Sequence, residues 1–590
     1  MATTHDPILL HLAQMAIDGI SKSFPELDSD EMTCEILYEQ LSPAPNLTMG
    51  HIALPCFPLA KLLRKSPPQI AQALAPKIET DKIISQVKQV GPYLNFILTP
   101  QSLGEMVVEP IICGDYFERQ LVSETQTIML EYSQPNTHKE LHVGHMRNLS
   151  LGSALVSLNR QVGNKVVAVT YPGDVGTHVA KSLWYLKNCY QGDIPTSNQG
   201  TFLGKIYQEA NQTLDSEQDL GRKENNKEQL TLILKELEQG EGEYFKLWQK
   251  TREWSLELFK KSYHWSRVEF DRWYWESEMD RPSIEMALNY YQQGVLIKDQ
   301  GAIGMDLSKE EQDLGFCMLI KSDGTGLYAT KDIALAMEKL QEYQLDSNLY
   351  LVDKRQAFHF QQVFKTLEKL GFKQANKCRH LAYDFVELPE GPMSSRAGNI
   401  VPLMELVESM EQKIKDDYLH SYQKDWSKEQ INSTASAIAD GAIKYGMIRI
   451  DNNRKIVFEM EEWLKLEGET GPYLQYVHAR INSLTSKQAF NPETPVDWKQ
   501  LEQQVEISLM LLLMRFNQVL VQAATQYKTM AMTSYLYDLG KLYNRFYAEC
   551  PVGKADTEKR KEARLALSKA CQRILAKGLE SLNIIAPEQM

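Results

Sequence analysis

The sequence predicts a multidomain α/β protein: a small N-terminal α/β domain, a central domain built on a doubly wound parallel sheet with a helical insertion, and a C-terminal all-α helical bundle. Three observations support this fold class. At 590 residues, the chain is too long for a single hydrophobic core. In its middle part, apolar β-branched runs alternate with helical patterns. Beyond about residue 403, the pattern is almost wholly helical.

Residues 1–112 are predicted to form the N-terminal domain. Apolar residues recur at helical spacing over residues 7–20, and residues 70–78 follow two prolines that suit the first turn of a helix. We interpret residues 35–37 and 90–98 as strands. Helices and strands together in one short segment indicate a small α/β unit.

The central domain is predicted over residues 120–403. Residues 125–132 form an apolar run suited to a buried strand, and the turn signal Ser133-Gln-Pro-Asn136 ends it. A helix follows from Gly144 and should stop at Gly163, before a strand over residues 165–170. This strand–helix–strand order opens a Rossmann-type, doubly wound sheet.

The remaining segments are predicted to be helical. Residues from about 190 to 265 are polar and highly charged with embedded leucines, and we interpret them as an insertion at the edge of the sheet. Residues 404–465 are predicted to be a helical connector, and residues 466–590 the helical bundle. An apolar stripe through residues 567, 571, 574, 575 and 582 indicates one bundle helix.

Composition indicates a soluble cytoplasmic protein. Hydrophobic residues make up 43% of the chain and charged residues 24%, which is typical of globular proteins. We find no apolar stretch of the roughly 18–20 residues that a membrane helix needs, and no secretion signal, so no membrane is expected. None of the eight cysteines forms a CxxC pair, so zinc is not expected. The net charge of −13 argues against a nucleic-acid partner only mildly, since binding depends on local basic faces.

The sharpest local motif is His142-Val-Gly-His145, at a predicted strand-to-helix junction. A helix N-terminus offers unpaired N–H groups and partial positive charge, which suit phosphate, and Gly144 allows close approach. Two imidazoles three residues apart share a helical face and can donate hydrogen bonds to phosphoryl oxygens. The alternatives are a zinc pair or surface histidines. A second glycine–histidine pair, Gly50-His51, follows no comparable strand and is assigned to structure.

The region around this motif resembles the signature region of arginyl-tRNA synthetases, which are class I enzymes. It runs from Glu131-Tyr-Ser-Gln-Pro-Asn136 to His145-Met-Arg-Asn148. Later blocks resemble the same family in the same order: Gly173-Asp-Val-Gly-Thr-His178, Lys321-Ser-Asp-Gly-Thr-Gly-Leu-Tyr-Ala-Thr-Lys-Asp332, Gly391-Pro-Met-Ser-Ser-Arg-Ala-Gly398 and Thr470-Gly-Pro-Tyr-Leu-Gln-Tyr-Val-His-Ala-Arg480. The resemblance covers nearly the whole chain and is weakest over residues 1–60 and 190–265.

The resemblance implies a two-step ligase. ATP, with Mg²⁺, activates L-arginine to arginyl-adenylate, and the arginyl group is then transferred to the 3′-terminal adenosine of tRNA(Arg). The 1–112 domain would contact the tRNA and the 466–590 bundle would bind the anticodon. The resemblance further suggests that tRNA must bind before activation proceeds. A monomer is the expected state.

For catalysis, the resemblance implies that His142 and His145 bind the ATP phosphates as pyrophosphate leaves. The second class I signature, KMSKS, aligns with Pro392-Met-Ser-Ser-Arg396 and lacks both lysines. We assign the compensating cation to Lys139, although a solvated surface lysine is the alternative. The loop would contribute Ser394, Ser395, the helper Arg396 and the ATP-contacting Met393.

An arginine pocket needs carboxylates, because a guanidinium is planar, always charged and best bound by bidentate pairs. The resemblance points to Glu131 and Asp332 as its partners. Asn136 would contact the α-amino or carboxylate end of arginine. Tyr328 lies one helical turn before Asp332 and would contact the aliphatic stem. The remaining predicted arginine contacts are Gln134, Pro135, Glu276 and Gln356. Surface or secondary polar roles are the alternative for Glu276 and Gln356.

Two further sets of contacts are predicted. Gly144, Asp174 and His178 are expected beside ATP, at the ligand edge of the sheet, although a helix-capping role rivals this one for Asp174. Aromatic and cationic side chains in the C-terminal helices suit unpaired anticodon bases. The predicted tRNA contacts are Tyr473, Tyr476, Arg480 and Arg545. For the tyrosines, burial in the bundle core is an equal alternative.

Two other hypotheses remain at the level of sequence. One is a class I relative for another amino acid, such as a cysteinyl or glutamyl enzyme. The absence of zinc-type cysteines counts against a cysteinyl enzyme. The predicted acidic pocket of Glu131 and Asp332 counts against a glutamyl enzyme. The other is a tRNA- or amino-acid-binding paralogue without catalysis. The presence of His142, His145 and Lys139 counts against it.

Overall fold

A computed structural model describes residues 5–25, 32–310, 313–389, 391–392, 400–488 and 490–590, without the side chain of Pro392. The N-terminal region packs short helices on a four-stranded antiparallel sheet of order β1-β2-β4-β3. A π-helical turn, Gly104–Val108, joins its last two helices. The elements are α1 (Pro7–Ser23), α2 (Cys34–Gln40), β1 (Ser42–Pro43), β2 (Ile52–Pro55), α3 (Phe57–Leu63), α4 (Pro67–Leu74), β3 (Ile84–Val90), β4 (Tyr93–Leu98), α5 (Pro100–Leu103) and α6 (Glu109–Cys113).

One prediction in this region is wrong. Residues 35–37 lie in helix α2, where a strand was predicted. The side chain of Thr33 accepts a hydrogen bond from the backbone N–H of Ile36 and so caps the helix. Leu37 alone in this helix is buried, and a single buried position carries no periodicity that could separate a helix from a strand.

The central domain is built on a five-stranded, all-parallel sheet of order β12-β11-β5-β6-β7. Its elements are β5 (Thr127–Glu131), α7 (Val143–Gln161), β6 (Lys165–Thr170), α8 (Thr177–Asn188), α9 (Gln199–Ser216), α10 (Leu220–Gln239), α11 (Glu243–Trp265), β7 (Arg272–Trp273), α12 (Glu276–Gln292), β8 (Ile297–Asp299), β9 (Ala302–Asp306), β10 (Phe316–Ile320), α13 (Tyr328–Glu342), β11 (Ser347–Asp353), α14 (Ala357–Lys369), β12 (Cys378–Tyr383), β13 (Val386–Leu388) and β14 (Gly391–Pro392).

The strand order reverses at β5, which fixes where a ligand can bind. From β5 the chain moves outward through β6 to β7, and then returns to the opposite side of β5 to form β11 and β12. Crossover segments therefore diverge on either side of the β5–β11 pair, leaving a crevice at the carboxyl ends of these strands. Two insertions flank the sheet: helices α9 to α11, and a separate antiparallel sheet of order β10-β9-β8 that the sequence did not reveal.

The C-terminal region is helical apart from β15, which pairs with β13. Its elements are α15 (Leu403–Asp417), α16 (Lys428–Ile448), β15 (Ile456–Val457), α17 (Met460–Trp463), α18 (Gly471–Lys487), α19 (Gln504–Met514), α20 (Phe516–Thr525), α21 (Thr529–Glu549) and α22 (Glu558–Ser581). The segment Gln504–Thr525 is long and apolar enough to span a membrane by composition, but 67% of its apolar window is buried in the fold. The predicted fold class is confirmed.

The N-terminal and C-terminal regions meet at a tight contact between Gly104 and Trp498. The indole of Trp498 is fully buried and donates a hydrogen bond to Oε1 of Glu109, 2.6 Å away. A Cβ atom on Gly104 would lie 2.0 Å from Cγ of the indole. Only glycine allows this approach without displacement of the ring.

We expect Gly104→Ala to destabilise the protein by about 2–3 kcal/mol, as is typical when a core is overpacked. The matched control is Gly553→Ala, because a Cβ atom there meets nothing within 4 Å. Urea unfolding should show a lower midpoint for Gly104→Ala and little change for the control. Equal midpoints for the two variants would contradict the contact.

Candidate active site

A crevice of about 730 Å³ opens at the carboxyl ends of β5 and β11, where the strand order reverses. Polar side chains line it from both sides of the reversal point. Its lining includes most of the residues predicted from the sequence: Glu131, Gln134, Asn136, His142, Gly144, His145, Glu276, Tyr328, Asp332 and Gln356. The sheet topology therefore brings together residues that lie more than 200 positions apart in the chain.

Two loops that leave neighbouring strands are joined at the floor of the crevice. The backbone N–H of Gly173 donates to the carbonyl of Pro135 over 3.0 Å, and the N–H of Thr137 donates to the carbonyl of Gly173 over 2.9 Å. A Cβ atom on Gly173 would lie 2.3 Å from Oδ1 of Asn136. Pro135 thus contributes through its backbone, and the absence of a side chain at residue 173 leaves room for Asn136.

His142 and His145 cap the N-terminus of α7. Nδ1 of His142 accepts a hydrogen bond from the N–H of Gly144 at 3.1 Å, and Nδ1 of His145 accepts one from the N–H of His142 at 3.2 Å. Burial, reinforced by the nearby charge of Lys139, lowers the pKa of His142 to about 4. Burial, together with the neighbouring His142 and Lys139, also lowers the pKa of His145 well below its usual value. Both rings are therefore neutral at pH 7, with the proton on Nε2, which can donate to a ligand.

Lys139 lies beside this histidine pair. Its side chain is half-buried, and its Nζ lies 5.1 Å from the centre of the Tyr207 ring. Burial and the like charge of Lys181 lower its pKa. Burial also lowers the pKa of His178 to about 3, and the positive charge of Lys139 contributes to this shift. A cation, three neutral imidazoles and a helix N-terminus form one end of the site and suit an anion.

The opposite end of the site is acidic. Glu276 is 8% exposed, and burial, together with the charges of Asp280 and Asp332, raises its pKa to about 7 against the opposing effect of Lys331. Asp332 places Oδ2 2.6 Å from Nε2 of His359. Tyr328 begins helix α13 one turn earlier and is 67% exposed. Gln356 lies just before α14, on the same side of the crevice.

Glu131 differs from the other carboxylates, because it already has a cationic partner. Its Oε2 forms an ion pair with the fully buried Lys339, and its Oε1 accepts a hydrogen bond from Nε2 of Gln134 at 3.2 Å. Sequence reasoning missed both Lys339 and His359. Lys339 lies seven residues after Asp332 on α13, so two helical turns place both residues on the same side of the helix. This spacing was the signal in the sequence that could have identified Lys339.

Asp174 does not line the crevice and is bonded to α11 and α12. It is fully buried, accepts hydrogen bonds from the backbone N–H and hydroxyl of Ser277 at 2.9 and 2.8 Å, and pairs with Nε of Arg252 at 2.9 Å. It thereby caps the start of α12, which fits the capping alternative. His178 remains close to the crevice floor, with Nε2 3.4 Å from the carbonyl of Gly173.

Met393, Ser394, Ser395 and Arg396 of the second signature loop lie outside the described residues. The end of that loop is fixed next to the histidine motif. The N–H of Val143 donates to the carbonyl of Val401 at 3.1 Å, and the N–H of Leu403 donates to the carbonyl of Leu141 at 2.9 Å. The residues that follow the second signature are thus joined to the first signature segment by backbone hydrogen bonds.

The predicted tRNA contacts differ in exposure. Tyr473 is 9% exposed and its hydroxyl accepts a hydrogen bond from Asn544 at 2.9 Å, which fits the bundle-core alternative. Tyr476 is 39% exposed. The guanidinium of Arg480 lies 4.1 Å from the centre of the Tyr547 ring. Arg545 is exposed and forms an ion pair with Glu549.

One further residue that sequence reasoning missed holds the crevice together. Asn148, on α7, accepts a hydrogen bond from the N–H of Ser133 at 2.5 Å. Its amide nitrogen donates to the carbonyl of Leu351 at 2.8 Å and to the hydroxyl of Tyr383 at 3.1 Å. One side chain therefore links α7 to the ends of β5, β11 and β12.

Taken with the fold, this site defines a class of protein. An all-parallel, doubly wound sheet and a histidine pair at the start of the helix after its first strand in sequence are features of class I aminoacyl-tRNA synthetases. The family model described as "tRNA synthetases class I (R), catalytic domain" matches residues 108–460. Models for the arginyl-tRNA synthetase N-terminal domain and the DALR anticodon binding domain match residues 14–98 and 474–590.

Individual relatives agree. An arginine–tRNA ligase of Bdellovibrio bacteriovorus is 47% identical over 586 residues, which is 99% of this chain and 100% of the relative. One from Clostridium acetobutylicum is 31% identical and covers 95% of this chain and 97% of its own. The structure of Thermus thermophilus arginyl-tRNA synthetase matches with a TM-score of 0.79 at 26% identity, over 98% and 99% of the two chains. The chain belongs to the arginyl-tRNA synthetase family.

We expect Asn148→Ala to lower the free energy of unfolding by about 2–3 kcal/mol, because it leaves several buried polar groups without partners. The matched control is Asn289→Ala, since Asn289 is exposed on α12. Urea unfolding measures both variants. A change in Asn148→Ala no larger than in the control would mean that the amide does not anchor α7.

Proposed function

We propose that the chain joins arginine to tRNA(Arg) in two steps within the 730 Å³ crevice. A carboxylate oxygen of arginine bonds to the α-phosphorus of ATP, and the bond from that phosphorus to pyrophosphate breaks. A ribose hydroxyl of the terminal adenosine of the tRNA then bonds to the arginyl carbonyl carbon, and AMP leaves. The observation that carries the proposal is the pairing of an anion-binding end, at His142 and His145, with an acidic end, at Glu276 and Asp332.

The anion-binding end would stabilise the departing pyrophosphate. The Nε2–H groups of His142 and His145 are free to donate to phosphoryl oxygens, because each Nδ1 is already bonded to the backbone. Lys139 would supply the positive charge that Pro392 and Ser395 do not. Fixed donors and charges aimed at a developing negative charge are among the largest catalytic effects in such transfers.

The acidic end would select the guanidinium. Lys339 already balances the charge of Glu131, whereas among the described residues neither Glu276 nor Asp332 has a lysine or arginine nitrogen within 4 Å. We therefore propose these two as the direct guanidinium partners, with Glu131 holding Gln134 in the wall of the pocket. Tyr328 would cover the aliphatic stem, Asn136 the α-amino or carboxylate end, and Gln356 would complete the pocket. A glutamyl or other anionic substrate would be repelled here.

The remaining roles follow from the family and stay proposals. Residues 1–112 would contact the tRNA, residues 120–403 carry the reaction, residues 404–465 connect, and residues 466–590 bind the anticodon, with Tyr476, Arg480 and Arg545 as its accessible candidates. Mg²⁺ would enter with the triphosphate, since the described residues offer no group of three or more His, Cys, Asp or Glu side chains placed to hold a metal. A monomeric cytoplasmic enzyme is expected.

Amino-acid-dependent ATP–pyrophosphate exchange, scanned over twenty amino acids with and without tRNA, tests the function. Of the twenty amino acids, we expect only arginine to support exchange. Asp332→Asn should raise the KM for arginine about 100-fold, because the loss of a charge-assisted partner in a desolvated site costs about 2–3 kcal/mol. The KM for ATP should stay unchanged. Asp299→Asn, at an exposed position in β8, is the control. Exchange with another amino acid, or an unaltered KM in Asp332→Asn, would refute the assignment.

The raised pKa of Glu276 predicts a pH dependence. With a pKa of about 7, the carboxyl of the free site is mostly protonated at pH 6 and ionised at pH 8. The cationic guanidinium binds the ionised form of Glu276. The ionised fraction rises about tenfold between pH 6 and pH 8, so the KM for arginine should fall by up to about tenfold over this range. Glu276→Gln should bind arginine weakly, with a flat profile over this range. A KM that rises with pH would show that Glu276 faces no cation.

A further inference from the structure

Two helix starts face each other at the acidic end of the crevice. Tyr328 and Asp332 lie one turn apart at the beginning of α13, and both line the crevice. Gln356 and His359 are three residues apart where α14 begins, and both line it as well. The sequence pointed to three of these residues as arginine contacts, and His359 is the fourth member of the group.

A side-chain hydrogen bond joins the two helix starts. Nε2 of His359 lies 2.6 Å from Oδ2 of Asp332. Because an ionised carboxylate can only accept, the proton lies on Nε2 and the imidazole donates. Among the described residues, Asp332 uses only Oδ2 in a hydrogen bond, and its side chain remains 22% exposed. A ligand in the crevice can therefore still bind this carboxylate.

The backbone that carries His359 is anchored on the parallel sheet. The next residue, Phe360, is buried, and its ring lies 5.3 Å from that of Tyr350 in β11. At the end of the same strand, the side chain of Asp353 accepts a hydrogen bond from the backbone N–H of Arg355 at 2.8 Å. These contacts fix the turn that leads into α14, so His359 meets Asp332 from a defined position.

The partner of Asp332 differs in kind from the partner of Glu131. Lys339 is a cation and balances the charge of Glu131. A neutral imidazole instead orients Asp332 and leaves its negative charge available. A guanidinium site needs both properties, because the guanidinium is a planar fork and always charged.

We propose that His359 is a positioning residue for arginine. Its Nε2–H group holds the carboxylate of Asp332 in the orientation that the guanidinium binds, and as a neutral donor it preserves the charge of that carboxylate. The inference rests on the proposed function and deepens it, because it adds a residue that sets the affinity for arginine by acting through Asp332. If His359 only lined the crevice, its removal would change nothing that depends on Asp332.

Three substitutions are compared in ATP–pyrophosphate exchange at saturating ATP and tRNA. His359→Leu removes the donor and should raise the KM for arginine about tenfold, as is typical when a hydrogen bond to a charged group is lost. Its kcat and its KM for ATP should stay within about twofold. His359→Gln retains a neutral N–H donor and should keep the KM for arginine within about threefold. His359→Lys also donates but balances the carboxylate, so its KM for arginine should remain raised about tenfold or more.

His264→Leu is the matched control, because His264 is exposed on α11. Urea unfolding identifies any variant that is destabilised, and the recovery in His359→Gln separates the hydrogen bond from folding. The proposal is overturned if folded His359→Leu has the KM of the control, or if His359→Gln is impaired as much as His359→Leu. It is also overturned if His359→Lys recovers as fully as His359→Gln.

A double-mutant cycle tests whether His359 acts through Asp332. Once Asp332→Ala has removed the carboxylate, the addition of His359→Leu should lower kcat/KM for arginine by less than about twofold, because the two side chains act as one unit. A further loss of about tenfold in the double variant would mean that His359 acts through another group, and would overturn the positioning role.

Arginine binding without turnover separates this inference from the proposed function. The Kd of L-arginine for the full chain with tRNA, measured by calorimetry, should rise about tenfold in His359→Leu and stay near the unaltered value in His359→Gln. Failure of the proposed function would appear as absent arginine-dependent exchange in the unaltered chain. Failure of this inference would appear as an unchanged Kd in His359→Leu.

Discussion

The arrangement of the site depends on how helix α7 is fixed at the end of the parallel sheet. Two consecutive buried side chains, Arg147 and Asn148, hold it. The guanidinium of Arg147 donates to the carbonyls of Asp384 and Arg454 at 2.8 and 2.7 Å. Asn148 connects the same helix to the ends of three strands. Because buried polar groups must be paired, few positions of α7 satisfy all these partners, and its N-terminus is held at the crevice.

This constraint separates opposite charges along one crevice. His142, His145 and the nearby Lys139 lie where α7 begins, and Glu276 and Asp332 lie on α12 and α13. Separation matters because lysines and carboxylates placed in contact would neutralise each other and leave neither available for a ligand. Glu131 and Lys339 show that outcome within the same pocket, since their ion pair is buried and complete. Under the proposed function, the two ends would bind a polyanion and a cation together.

The insertion packs directly against the first signature segment. Tyr207 contacts Lys139 from a helix that lies outside the repeating strand–helix pattern. Close approach requires Gly204, where any side chain would meet Glu140. A segment of weak family resemblance therefore contacts residues of the first signature segment from outside the sheet.

The sequence by itself determined the class of fold and the histidine pair, because these depend on local patterns: strand runs, turn residues and a motif at a helix start. Ten residues of the crevice lining were also predicted, most of them through the family resemblance. It did not determine that residues 35–37 are helical, since one buried position defines no period. Only the tertiary structure decided which carboxylates have a lysine or arginine as a direct partner: it paired Glu131 with Lys339 and Asp174 with Arg252, and among the described residues it left Glu276 and Asp332 without such a partner within 4 Å. Charge balance is a property of neighbours in space, and those neighbours come from strands and helices that are distant in the chain.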